Sequence, residues 1–255
     1  MNDPCERIIR DLKIKIVAWS DVLQTIETSG EHDDFLQRCE SNDLVPGVYE
    51  AITLWRINRH YSNFFAMFLQ GGLKIWECSI DMCEFLADPM NIDMCEHKRV
   101  LELGCGAGIP GIVCLLKGAV EVCFQDFNTE VLNYFTKANV ALNCDDPATR
   151  TNFVASDWSK LHETLNHRKF DLILSCETIY NTTNYSALYN AFSEYLAPDG
   201  TFILAAKNYY FGIGGSIKSF VQFVESRNIF RAEVVWRSTD ASISRQIVRF
   251  RRYDH

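Results

Sequence analysis

A chain of 255 residues with 47% apolar and 23% charged side chains has room for one α/β domain with an N-terminal extension and the make-up of an ordinary soluble globular protein. Its formal net charge of −8 argues against general nucleic-acid binding, which needs a basic surface facing phosphates. The ten cysteines include no Cys-x-x-Cys pair and no His/Cys cluster with zinc spacing, so reduced thiols are expected, with Cys114, Cys123 and Cys176 acting as small hydrophobes in apolar segments.

The opening Met1-Asn2-Asp3-Pro4 shows no basic-then-apolar leader, and the apolar stretch over 61–73 is too short and too polar to span a bilayer. A cytoplasmic and nuclear setting is expected. Residues 1–45 read as peripheral, with weak alternation over 11–24 and a polar loop over 29–34. The first 70 residues are taken as an extension and 71–255 as the main domain. Within that domain 75–86 reads as a helix with Trp76, Ile80 and Cys83 on one face. Residues 100–103 form a buried strand that stops at Gly104, Gly106 and Gly108. A helix over 109–117 follows, with Pro110 in the first turn where a missing N–H costs nothing. Then come a strand over 121–126, a helix over 129–142, and strands over 152–155 and 170–175. A helix over 185–196 stops at Ala197-Pro198-Asp199-Gly200, and a fifth strand covers 201–206. After a helix over 216–225, strands over 231–236 and 244–251 sit close enough to pair antiparallel. The pattern predicts an α/β fold: a seven-stranded, mostly parallel sheet, a C-terminal antiparallel hairpin and helices on both faces. The arginines crowding 227–252 read as a solvated edge strand, with docking onto an RNA-rich particle as the alternative.

In such a sheet ligands sit at the carboxyl ends of the strands, near the point where strand order reverses. The Gly104-x-Gly106-x-Gly108 spacing differs from the G-x-G-x-x-G of dinucleotide binders, and Glu102 pointing into that turn would repel a pyrophosphate but suit a cationic ligand. The second strand ends at Gln125-Asp126-Phe127, which places Asp126 for ribose hydroxyls and Phe127 beside an adenine. The third ends at Ser156-Asp157-Trp158, placed for the adenine amino group. Ribose, adenine and a positive centre without phosphate describe S-adenosylmethionine; an NAD-type oxidoreductase is the competitor.

This pattern resembles the Rossmann-like, seven-stranded class I methyltransferases. Gly71-Gly72-Leu73-Lys74-Ile75-Trp76-Glu77-Cys78 looks like the G-x-K-x-W-E segment of methyltransferase family 16, and Glu177-Thr178-Ile179-Tyr180 like its acidic-x-x-Tyr motif. With Leu44-Val45-Pro46-Gly47-Val48-Tyr49-Glu50 and Lys207-Asn208-Tyr209-Tyr210-Phe211-Gly212-Ile213-Gly214-Gly215, the chain is similar to the histidine protein methyltransferases, over 44–50 and 71–252. The resemblance implies S-adenosylmethionine as cofactor, a histidine of a large-subunit ribosomal protein as substrate, and no metal, because the leaving group is already cationic. It also implies that Ile75, Trp76, Glu77, Cys78 and Ser79 line the methionine end of the cofactor. Gly104, with Gly106 in the same turn, would meet the ribose side, Gln125, Asp126 and Phe127 ribose and adenine, Ser156, Asp157 and Trp158 adenine, and Cys176 the sulfonium.

For the chemistry, Glu177 is expected to accept a hydrogen bond from the distal N–H of the acceptor imidazole, and Tyr180 to wall the site or bind the substrate backbone. Asn208, Tyr209 and Phe211 are expected at the substrate entrance; His60, His97, His162 and His167 carry no role. A lysine-directed enzyme of the same family and a ribosome-assembly adaptor that binds the cofactor without turnover are the other readings. The chain departs from the family at 51–70, an aromatic and basic stretch between two motifs that adjoin in relatives. It reads as a helical insertion capping the site or as a retained intron translated in frame. The second is favoured, because deleting it restores the family pattern at both joins.

Overall fold

The computed structural model of the chain describes residues 5–28, 74–239 and 243–253. The motif at 44–50, the 51–70 segment, the boundary drawn at residue 70, the loop over 29–34 and His60 lie outside the described residues, as do Gly71, Gly72 and Leu73.

Strands β1 (Cys5–Ile9) and β2 (Leu12–Ile16) form an antiparallel hairpin ahead of α1 (Trp19–Thr28). Then follow α2 (Glu77–Ala87), β3 (Arg99–Leu103), α3 (Ile109–Leu116) and β4 (Glu121–Asp126). A π-helical turn, Val131–Thr136, leads into α4 (Lys137–Asn143) and then β5 (Thr151–Ala155), β6 (Phe170–Cys176) and α5 (Tyr185–Tyr195). The chain ends through β7 (Leu196–Lys207), α6 (Ile217–Glu225), β8 (Phe230–Arg237) and β9 (Arg245–Arg252).

The seven-stranded sheet has the order β5-β4-β3-β6-β7-β9-β8. Its first five strands run parallel, and β9 pairs antiparallel with both β7 and β8, as the sequence pattern predicts. The central strands are apolar on both faces because helices cover both. Along β7, Ile203 and Ala205 join one buried cluster, which α2 and α3 share, while Phe202, Leu204 and Ala206 join the other, shared with α5 and α6. Strand order reverses between β3 and β6, which puts the ligand-binding edge at their carboxyl ends.

Three local features differ from expectation. The helix stops as expected, but the strand after it starts at Leu196 and not at 201: Phe170 pairs with Leu196 and Leu172 with Thr201, so the Pro-Asp-Gly turn is looped out as a bulge. The helix expected over 129–142 opens as a π turn, in which the Thr136 hydroxyl donates to the Gly106 carbonyl at 2.6 Å. Residues 5–28, read as peripheral, share the main core, with Ile9 and Ile14 fully buried in the cluster that also holds Ile112 and Val113. Asn139 and Asn143, one turn apart on α4, clasp β2: Val17 N–H donates to Asn139 Oδ1 (2.9 Å), Lys15 N–H donates to Asn143 Oδ1 (2.8 Å), and Asn143 Nδ2 returns a bond to the Lys15 carbonyl (2.7 Å). Among the described residues no helix is long and apolar enough to cross a membrane.

Candidate active site

The loop after β3 holds Gly104, Gly106 and Gly108 at φ of +65°, +51° and +72°. Side chains rarely adopt that region, and a Cβ at Gly104 would also lie 2.8 Å from Thr178 Cγ2, so glycine lets the loops after β3 and β6 meet. Beneath them, Gln125 ties three strand ends together. Its Oε1 accepts Gly104 N–H (3.2 Å) and Trp158 Nε1–H (2.9 Å), and its Nε2 donates to the Ser156 carbonyl (2.8 Å). Only 1% exposed, the Gln125 side chain is scaffold for the site edge. Asp126 Oδ2 accepts Gly106 N–H (2.9 Å) and Oδ1 accepts Asn128 N–H (3.1 Å). Burial raises its carboxyl above the usual range, opposed by the Asn128, Gly106 and Phe127 amides. Next to it the Phe127 ring is half exposed.

Glu102 does not face a ligand, contrary to what its place before the glycine turn suggests. Its Oε2 accepts Gly111 N–H in the first turn of α3 (2.9 Å), and the residue is 2% exposed. Burial pushes its carboxyl up to about 8, against the pull of that hydrogen bond. At neutral pH it is mainly a neutral acid bracing α3, not a charge turned toward a ligand. Asp157, at the rim, accepts from the Ser159 hydroxyl (2.6 Å) and N–H (2.8 Å), which hold its carboxyl below the usual range and cap the turn Trp158–Lys160.

The second half of the site joins the carboxyl ends of β6 and β7 to the start of α2. Glu177 is a non-glycine residue at φ +58° and 8% exposed, a conformation that costs on the order of 1 kcal/mol and clusters at functional sites. Its Oε2 accepts the Tyr210 hydroxyl at 2.6 Å, and burial together with the Glu177 charge keeps that phenol protonated. Its Oε1 is buried without a hydrogen bond among the described residues. Among the described residues the nearest cation is Lys207, whose Nζ lies 3.7 Å from Oε1, 3.3 Å from Glu77 Oε2 and 5.3 Å from the Trp76 ring centroid. The Tyr180 ring meets Tyr210 edge to face, with centroids 6.4 Å apart. Ile75 packs against the core, Cys78 is buried beside Glu177, and Ser79 lies beside the Cys176 thiol. Burial holds both thiols protonated, so they pack there as apolar groups, Cys78 with no exposed surface.

The loop over 208–215 folds onto this edge. Gly215 N–H donates to the Tyr180 carbonyl (3.0 Å), and any side chain there would run into the Ile179 and Tyr180 carbonyls. Asn208 turns away, bonding Ser244 Oγ through Nδ2 at 2.9 Å. Tyr209 and Phe211 stay exposed at 48% and 76%, edge to face with centroids 5.1 Å apart. Sequence reasoning gave roles to 208, 209 and 211 but none to Lys207 or Tyr210, the two that reach Glu177. A lysine closing the apolar run over 201–206 was the available signal.

The pattern of the family described as lysine methyltransferase matches residues 67–226. A histidine protein methyltransferase 1 homolog of Dictyostelium discoideum is 40% identical over 195 residues, 76% of this chain and 55% of that protein. Histidine protein methyltransferase 1 of Schizosaccharomyces pombe is 30% identical over 263 residues, covering 84% of this chain and 67% of that one. The chain spans about half the length of most of the curated relatives it matches. Among solved structures, the T. thermophilus 16S rRNA N2 G1207 methyltransferase in complex with AdoMet and guanosine superposes with a TM-score of 0.51 at 16% identity, over 71% of this chain and 44% of that one. That likeness establishes the Rossmann-like methyltransferase fold. With the family pattern matched across the whole glycine-loop and Glu177 edge, the chain belongs to methyltransferase family 16 and stands there with the histidine protein methyltransferases.

Proposed function

We propose that the protein is an S-adenosylmethionine-dependent protein-histidine N-methyltransferase acting on a histidine of a large-subunit ribosomal protein, in the cytoplasm and nucleus. The observation that carries this reading is Glu177: a buried carboxylate with one oxygen fixed by Tyr210 and the other without a hydrogen bond among the described residues, at the strand-order reversal. The donor set fits the cofactor. Residues 104–116 contain no Lys or Arg to meet a phosphate, while the Asp126 carboxylate and exposed Phe127 ring suit a nucleoside.

When bound, S-adenosylmethionine supplies a methyl on a sulfonium, whose C–S bond breaks with its electron pair left on sulfur as the acceptor nitrogen forms the new bond. Ile75, Trp76, Glu77, Cys78, Ser79 and Cys176 would line the methionine end, Gly104, Gly106, Asp126 and Phe127 the ribose and adenine, and Ser156, Asp157 and Trp158 the rim, with Gln125 bracing them. Glu177 Oε1 accepts the distal imidazole N–H, which leaves the other ring nitrogen's lone pair facing the methyl. Tyr210 keeps the carboxylate from rotating, and Tyr180 walls the ring. An imidazole with a pKa near ~6.5 is mostly neutral at cytosolic pH, so no strong base is needed, and the N–H proton of the product passes to water. Alignment and water exclusion supply the acceleration.

Labelled cofactor, purified protein and large-subunit ribosomal proteins, followed by residue mapping by mass spectrometry, test this. Label on histidine, lost in Glu177→Gln, is expected; label only on lysine refutes it. The lysine reading draws on the family's description.

A further inference from the structure

An acceptor approaching Glu177 meets a cation that is already there. The Lys207 side chain is 16% exposed, and its ammonium sits between two carboxylates, Glu177 at 3.7 Å and Glu77 at 3.3 Å, while facing the Trp76 ring at 5.3 Å. Lys74 Nζ lies over the same indole at 4.5 Å. Carboxylates and an aromatic face are the groups with which a protein would hold the ammonium of a substrate lysine. Here the chain's own amines hold them.

Resting on the histidine-methyltransferase reading, we infer that Lys207 determines acceptor choice: it fills the cation subsite beside Glu177, so that a neutral imidazole is admitted and a lysine ammonium refused. At 3.7 Å the Lys207 ammonium balances the charge of Glu177 from beyond hydrogen-bond range, so Oε1 keeps its accepting capacity for a ring N–H. A substrate ammonium bonded to the same oxygen would stand within ~6 Å of Nζ. At an effective dielectric of ~20, repulsion between two unit charges at that distance weakens binding by on the order of 100-fold. Entering as the free amine is no escape, since an amine of pKa ~10.4 is deprotonated in only about one molecule in a thousand near neutral pH. The imidazole carries neither penalty.

The test uses two peptides around the histidine mapped on the natural substrate, identical except for His or Lys at the acceptor position. Wild type is expected to methylate the first only. In Lys207→Met the ratio of kcat/KM for the His peptide to that for the Lys peptide is expected to fall by on the order of 100-fold, while Lys207→Arg, which keeps the charge, retains the wild-type preference. An unchanged ratio in Lys207→Met, with cofactor affinity and melting temperature as in wild type, overturns the inference. A second measurement needs no variant: wild type with the His peptide is challenged by the Lys peptide or its norleucine counterpart. Norleucine is expected to compete better, and equal or stronger competition by lysine also overturns the inference. Failure of the function reading is visible separately, as wild type that labels no histidine at all.

Discussion

Glu102 offers a direct test of how the glycine loop is supported. Its carboxyl moves from an ordinary 4.5 in the unfolded chain to about 8 in the fold, with desolvation as the cause. A folded-state value above the unfolded one means that stability is fully present below about pH 4.5 and is lost as pH rises through about 8, at ~1.4 kcal/mol per pH unit. The whole interval amounts to about 5 kcal/mol. Glu102→Gln keeps the shape and the oxygen that accepts Gly111 N–H but has no proton to lose. Urea unfolding of both proteins from about pH 5 to about pH 8 should therefore show a stability difference that moves steadily in favour of glutamine, by ~1.4 kcal/mol per pH unit. Groups common to both, including the buried Asp126, cancel in that difference. Two parallel curves would mean that Glu102 is ionised in the fold, and the neutral brace under α3 would have to be abandoned.

Other perturbations separate the two halves of the site. Tyr210→Phe removes a 2.6 Å bond to a buried carboxylate, a contact of ~1.5–3 kcal/mol, and is expected to lower kcat for histidine methylation by about 10- to 100-fold with cofactor affinity unchanged by calorimetry; an undiminished rate refutes the positioning role. Gly215→Ala drives a Cβ into two backbone carbonyls and should cost more than ~2 kcal/mol in thermal unfolding, or displace the Glu177 loop enough to abolish transfer. Asn139→Ala breaks the bond from Val17 and the one to the Ala107 carbonyl (3.0 Å), so a loss of about 2–4 kcal/mol is expected, with faster hydrogen exchange in β2 as the specific mark.

The parallel core was legible because each strand carries its own signal. Apolar runs such as Leu172-Ile173-Leu174 and the glycine stop at Gly104 need no knowledge of distant residues. Glu102 was legible as a position but not as a direction: strand periodicity chooses a face, whereas its charge state depends on what else fills the space beneath Gly111. Tyr210 joins Glu177 across 33 residues, by way of a loop that folds back only because Gly215 lets two backbones touch. The N-terminal hairpin was opaque for the same reason, since its partners, Asn139 and Asn143, belong to a helix more than a hundred residues away.

That clasp also sets an order of events on the ribosome. Lys15 bonds a residue 128 positions downstream, so the clasp on β2 cannot close until α4 has left the exit tunnel. At roughly 5–20 residues per second the delay is about 6–26 seconds, long compared with the microseconds in which a hairpin forms. For that time the Lys15 and Val17 amides are without their α4 acceptors on the nascent chain. A hairpin made before α4 is thus fastened only after it, and a holding chaperone has a long opportunity at β2.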